Sequence, residues 1–345
     1  MTIQYIGADV DGKMTNLAVE RSGKIVQELC VPTTIPALVA ALESIRRPRK
    51  LAFEEGPMAH WLARNLRPVV DELLVCDPRK NALITQDGDS DDVIDARKLA
   101  TLYRGGYLRG VYQSDNDGHV LLKQWVGLYC DRVKEAVRQV NKIRALCLRH
   151  GLRPARGSLR DAGCRAEWFR AMGSAPVVAQ LEMLFLGFDT VVEQVTISRR
   201  KVTGLARAYS TIDHWQELPG VGPIRAAVLY AYLDTPWRFD GNPHKLWKYC
   251  GVGLEHSGSG KDRHGKMKLG TLHLAWQVNR RLKWAVLGAA ISAVRQGENV
   301  FTAQYERLVH DGLTGGNALH TVARKMLSVM WGMWKAGTRF DPRLV

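Results

Sequence analysis

The chain has 345 residues, 46% of them hydrophobic, and carries a formal net charge of +15 from 49 Lys and Arg against 34 Asp and Glu. That length allows two or three domains with their own cores, and the charge points to a polyanionic partner, nucleic acid ahead of an anionic membrane surface. Six scattered cysteines without a CxxC pair argue for reduced thiols and against a structural zinc site, while no charged leader and no apolar run of about 18 residues is read, so no membrane is expected.

Residues 3–9 are apolar and partly β-branched and predict a strand. Residues 16–20 and 24–31 predict two more, turned at Ser22-Gly23. Helical spacing of Leu38, Val39, Leu42 and Ile45 predicts a helix over 35–47. A strand over 51–54, a helix over 59–70, a strand over 72–76 and a helix over 92–102 follow. Three strands followed by alternating helices and strands imply an α/β domain over 1–115, a mixed sheet with helices packed on it.

Two long helices are expected over 121–148 and 177–202, joined by a basic connection containing Arg149, Arg153, Arg156 and Arg160. They suggest a helical hairpin or coiled-coil linker over 116–210, used structurally or for dimerisation. Residues 211–345 read as a mainly helical domain. In it, Leu218-Pro219-Gly220-Val221-Gly222-Pro223 resembles a helix-hairpin-helix turn leading into a helix over 226–233. Helices over 272–294 and 318–336 close the chain, and their tryptophans (Trp276, Trp284, Trp331, Trp334) suit a core.

Candidate chemistry begins with the carboxylates. Asp92 and Asp95 stand three apart, which puts them on one face of a helix, and Asp9 and Glu54 end predicted strands. Acid offered by three separated segments is the pattern of a divalent-metal site, and hard oxygen ligands suit Mg²⁺ or Mn²⁺. Two such ions about 3.5–4 Å apart can activate a nucleophile and stabilise a leaving oxygen in phosphodiester cleavage. The plainer reading of Asp92 and Asp95 is a solvated helix N-terminus, which the helix dipole favours. Glu54 and Glu55 are adjacent and point to opposite faces of a strand, so one of them can join the cluster; Glu54, directly after Phe53, is preferred.

Gly220 and Gly222 let backbone amides turn outward at a helix N-terminus, where they can hold a phosphate without reading sequence. Residues 257–268 form an electropositive, glycine-flanked stretch with Ser257 and Ser259. A serine hydroxyl attacks phosphorus only if its proton is removed and the developing charge is stabilised. Lys261, Arg263, Lys266 and Lys268 are the cations available for that, and Arg280 and Arg281 extend a basic surface. The stretch is not a GxxxxGK[ST] phosphate loop.

In order, Gly7-Ala8-Asp9, Phe53-Glu54-Glu55-Gly56-Pro57, Asp92-Val93-Ile94-Asp95-Ala96, Leu218-Pro219-Gly220-Val221-Gly222-Pro223, Tyr249-Cys250-Gly251 and the serine stretch resemble the DEDD transposases of the insertion-sequence one-ten family over nearly the whole chain. The resemblance implies a ribonuclease H-like (RuvC-like) N-terminal domain, a helical coiled-coil linker, and a C-terminal transposase domain with the serine loop. It implies Mg²⁺ held by Asp9, Glu54, Asp92 and Asp95, and a serine that forms a covalent phosphoserine intermediate with DNA. Counted without gaps from Gly251, the family's Ser-Gly falls on Ser259-Gly260; a gap of two places it on Ser257-Gly258. The resemblance further implies donor and target DNA, a bridge RNA made from the element's own end, a homo-oligomer (dimer or tetramer) combining acids of one subunit with the serine of another, and a bacterial, nucleoid-associated cytoplasmic location.

The residues by themselves leave three functions open: a recombinase with metal-assisted serine chemistry, a RuvC-like nuclease that uses the acids and water, and a nucleic-acid-binding protein whose acids are structural.

Overall fold

Ile6, Ala8, Leu17, Val19, Leu51 and Phe53 occupy alternate positions of three predicted strands, and together they form the buried face of a sheet. The computed structural model describes residues 2–78, 91–155, 158–257, 271–276 and 278–344, and the chain divides into two compact units, Met1–Asp115 and Asn116–Val345. The first unit is α/β. Its strands β1 (Gln4–Val10), β2 (Met14–Arg21), β3 (Lys24–Pro32), β4 (Arg49–Glu54) and β5 (Glu72–Cys76) form one sheet in the order β3-β2-β1-β4-β5. The β1–β2 and β2–β3 pairs are antiparallel, whereas β1–β4 and β4–β5 are parallel.

One face of this sheet packs on helices α1 (Ile35–Ser44) and α2 (Ala59–Leu66), through Leu38, Leu42, Leu62 and Leu66. Helix α2 stops four residues short of its expected end at 70, because Pro68 lacks an amide hydrogen and cannot continue the α-helical ladder; a 3₁₀ turn over Arg67–Val69 follows. The opposite face receives α3 (Asp92–Arg104), whose buried residues Ala96, Leu99, Ala100 and Tyr103 recur at helical spacing.

The second unit is mostly helical. Helices α4 (Asp117–Arg149) and α6 (Ala175–Ala206) run antiparallel as a long hairpin. At its tip, Ile143, Leu146, Cys147, Leu181, Phe185 and Phe188 form a small core with Met172 of α5 (Ala162–Met172). At its base, Leu122, Val126, Val202 and Ala206 belong to the core built by α7 (Ser210–Gln216), α8 (Pro223–Leu233), α9 (Pro243–Tyr249), α10 (Arg280–Arg295), α11 (Val300–His310) and α12 (Gly315–Ala336). The hairpin base is thus part of the C-terminal core. An antiparallel pair, β6 (Leu254–Ser257) and β7 (Thr271–Leu274), lies between α9 and α10.

Two expectations are corrected here. The single helix expected over 272–294 is a strand followed by a helix: residues 271–274 pair with β6, and α10 begins only where the Asn279 side chain accepts hydrogen bonds from the amides of Arg281 (3.1 Å) and Leu282 (3.2 Å). Trp276 is therefore not core but 88% exposed, and Trp284 is 49% exposed, whereas Trp331 is buried and donates from Nε1 to the Pro236 carbonyl at 2.7 Å. Helix α6 is also long and apolar enough, by length and composition, to cross a membrane, and 22% of its most apolar 18-residue window is buried; here it lies along α4.

Candidate active site

Gly7 sets the position of the acid cluster in the first unit. A Cβ at this residue would lie 2.1 Å from the Ala96 carbonyl oxygen and 2.4 Å from the Ala100 amide nitrogen, so only glycine lets α3 rest directly on β1. Two residues on, Asp9 shares that face of the strand. The edge-on contact of Tyr5 with Tyr103, 5.6 Å between ring centroids, marks the same face further back. In the parallel β1–β4 register Ala8 lies opposite Phe53, which brings Glu54 alongside Asp9 on the side that α3 covers. Glu55 falls beyond the strand, is exposed, and donates its amide to the Cys76 carbonyl at 2.8 Å. Asp92 and Asp95 occupy the first turn of α3.

Asp9 feels the other three acids. Burial, then the charges of Asp92, Asp95 and Glu54, push the Asp9 carboxyl up to about 6. Asp95 Oδ1 is buried without a hydrogen-bond partner, and the nearest cation paired with it, Lys98 Nζ, stands 3.8 Å away. Among the described residues no three Asp, Glu, His or Cys side chains meet closely enough to hold a metal ion as they stand. The donor set nevertheless fits a hard divalent cation: every donor is a carboxylate oxygen, one oxygen is orphaned, and the mutual repulsion is what a bound cation relieves. Helix α3 is held in place away from these acids. Arg97 forms a two-point pair with Glu28, its Nη2 2.8 Å from Oε2, Arg104 pairs with the buried Glu20, and the Tyr103 hydroxyl donates to Glu72 Oε1 at 2.8 Å.

In the second unit, β6 and β7 bring the two ends of the serine stretch together, with Ser257 opposite Thr271 in the register. Ser259, Lys261, Arg263, Lys266 and Lys268 lie outside the described residues.

The glycine turn before α8 divides into two roles. Gly220 has φ +79°, and a Cβ there would lie 2.2 Å from the Ala289 carbonyl oxygen and 2.5 Å from the Ala293 amide nitrogen. Its glycine is thus required by the close approach of α10, and its amide donates to Gln296 Oε1 at 2.7 Å. The Gly220 carbonyl accepts from Arg225 Nη1 at 2.9 Å, which also donates to Ser292 Oγ at 2.9 Å. Gly222 is different. It precedes α8 with φ −86° and would place a Cβ in open space, so the chain's own packing does not demand glycine there. It lines a cleft of about 510 Å³ with Arg225, Gln296 and Asn299. Arg281 is engaged internally, with one nitrogen on the Tyr232 hydroxyl and another 2.8 Å from Asp131 Oδ1, whereas Arg280 is exposed.

Sequence reasoning missed Gly7 as a positioning residue. The available signal was a glycine inside a strand, which marks a close approach of another backbone.

Residues 213–306, from α7 through the glycine turn, β6 and β7 into α11, match the model of the Transposase IS116/IS110/IS902 family. Over that segment the chain is similar to the transposases of that family. It is 28% identical over 152 residues, 44% of its length, to "Insertion element IS110 uncharacterized 43.6 kDa protein" of Streptomyces coelicolor, and that match spans 36% of the relative. It is 23% identical over 368 aligned positions to "Putative transposase y4qE" of Sinorhizobium fredii, which covers 95% of this chain and 88% of that protein. The acid-bearing unit, Met1–Asp115, lies outside the segment that the family model matches.

Proposed function

We propose that this protein is a transposase that cuts and rejoins DNA, with Asp9, Glu54, Asp92 and Asp95 holding Mg²⁺ or Mn²⁺ and Ser259, or Ser257 in its place, acting as nucleophile. The observation that carries this reading is the meeting of acids from three segments at Asp9, whose carboxyl is raised by burial first and then by Asp92 and Asp95 of α3 and Glu54 of β4. The strand order β3-β2-β1-β4-β5, with acids at the ends of β1 and β4 and at the start of α3, supports a ribonuclease H-like first unit.

When bound, the cation supplies positive charge at the scissile phosphate and favours the deprotonated form of an oxygen nucleophile. The serine hydroxyl loses its proton to solvent water as Oγ attacks phosphorus, forming an Oγ–P bond while the bond from phosphorus to the leaving deoxyribose oxygen breaks. The leaving oxygen takes up a proton. Rejoining is the reverse attack, in which a deoxyribose hydroxyl displaces the serine. Lys261, Arg263, Lys266 and Lys268 neutralise charge on the phosphate, and Gly220, Gly222, Arg280 and Arg281 belong to the surface that meets the DNA backbone. Of these, Gly222 and Arg280 are the better placed, because the Gly220 amide and the Arg281 guanidinium already have partners in the chain. An element-encoded guide RNA, and a dimer or tetramer that joins acids of one copy to the serine of another, complete the proposal.

The test is a denaturing gel of the full chain with labelled element-end DNA, Mg²⁺ and co-expressed element-end RNA. Wild type should give a protein–DNA adduct that Ser259→Ala and Asp9→Ala abolish. Loss of the adduct only in Ser257→Ala would move the nucleophile to Ser257. Clean cleavage without any adduct would replace the serine by water and overturn the recombinase reading.

A further inference from the structure

Between α4 and α10 lies an apolar cavity of about 250 Å³ that the proposed chemistry leaves unused. Each helix contributes one aromatic ring: Tyr129, half-buried, from α4, and Trp284, 49% exposed, from α10. The buried Cys130, whose thiol is held protonated by burial, and Val133 line it as well. Lys134, Arg280 and Arg281 line it as cations, and Arg281 is braced by Tyr232 and Asp131. Lys134 Nζ lies 3.7 Å from the same Asp131, and Arg280 is exposed at the first turn of α10.

Two flat rings and an apolar lining beside three cations combine the two attractions a nucleotide offers, a π face and a phosphate. The volume is below the roughly 300–1,000 Å³ of pockets for drug-sized ligands, and so suits a single ring system. The position is also apt, because α10 starts six residues after β7, the strand that closes the serine stretch. We propose that this cavity takes one unpaired nucleobase of a DNA or RNA strand, stacked against Trp284 and Tyr129, with Arg280 and Lys134 on the flanking phosphates. This rests on the reading of the chain as a nucleic-acid-cutting transposase and adds a place where a base leaves its duplex.

The experiment uses the full-length protein and single-stranded DNA and RNA oligonucleotides of about 12 nucleotides, each with one 2-aminopurine, alongside the matching duplexes. Wild type should change the 2-aminopurine emission and bind single strands; the strand that does so more strongly identifies the source, DNA or RNA. Trp284→Leu and Tyr129→Leu should each weaken single-strand binding about tenfold and remove the emission change, leaving duplex binding unaltered. Trp284→Phe should restore most of the affinity, which a folding defect would not allow. Trp237→Leu, at a tryptophan 67% exposed outside the cavity, should change neither readout. If Trp284→Leu binds single strands like wild type, the cavity proposal falls and the transposase reading stands. If Trp284→Leu instead shifts the sedimentation mass, a second copy of the chain fills the cavity and the proposal falls. If wild type binds neither single strands nor duplex, both readings fall together.

Discussion

Gly7 and Ala96 are in such close contact that a methyl group on residue 7 would stand 2.1 Å from the Ala96 carbonyl oxygen. Gly7→Ala should therefore lift α3 off β1 and carry Asp92 and Asp95 away from Asp9. The expected cost is about 1–3 kcal/mol of stability, the usual range for overpacking, together with a loss of DNA cleavage larger than the stability loss explains. Gly12→Ala, where a Cβ meets nothing within 4 Å, should leave both unchanged. Urea unfolding and a cleavage assay on the two variants check this.

Asp9 lies among carboxylates that repel it, and one oxygen of Asp95 is buried without a hydrogen bond. Asp9→Asn should therefore make the metal-free protein at least as heat-stable as wild type while abolishing cleavage. Mg²⁺ at about 100 times its Kd should raise wild-type stability by roughly 2.7 kcal/mol and leave Asp9→Asn nearly unmoved. Melting scans in EDTA and in Mg²⁺ distinguish a cation site from a merely acidic surface, for which Mg²⁺ would act equally on both proteins.

The two glycines of the turn before α8 should behave differently. Gly220→Ala meets α10 and a φ of +79°, and should destabilise the second unit by about 1–3 kcal/mol. Gly222→Ala adds a methyl group to open space and should leave the melting temperature unchanged while weakening DNA binding several-fold. Equal DNA affinity for Gly222→Ala and wild type would remove that turn from the DNA surface.

His119 is 2% exposed, with Nε2 2.9 Å from the Ala231 carbonyl oxygen and 3.1 Å from Asp234 Oδ1. Burial lowers its pKa and outweighs the opposing pull of Asp234. The folded state therefore holds the imidazole neutral, and on acidification the unfolded state takes the proton first. The stability this group contributes is present above the ordinary histidine value of about 6.5 and is lost as pH falls through the depressed folded value. Chemical unfolding between pH 8 and pH 5 should show that loss, and His119→Gln should flatten it while costing about 1–3 kcal/mol at pH 8 through the unmet Ala231 carbonyl. A pH slope identical in the variant would assign the loss to other groups.

Much of the chain was legible from residue order alone. Alternation at Ile6, Ala8, Leu17 and Val19, the 3.6-residue spacing in Leu38, Leu42, Ala96 and Leu99, and the long apolar stripes of α4 and α6 are local properties, and each follows from a period that a strand or helix must show. The net charge of +15 and the carboxylates at the ends of β1, β4 and at the start of α3 were equally open to inspection. What the order could not decide was which distant surface covers each face. Residue order preferred Glu54 to Glu55, and the β1–β4 register puts Glu54 beside Asp9. The approach of α10 together with a φ of +79° explains Gly220, Gln296 occupies its amide, and only β6 turns residues 271–274 into a strand and leaves Trp276 in solvent. Periodicity is a property of neighbours in sequence; burial, register and like-charge repulsion belong to groups that meet only after the chain has folded.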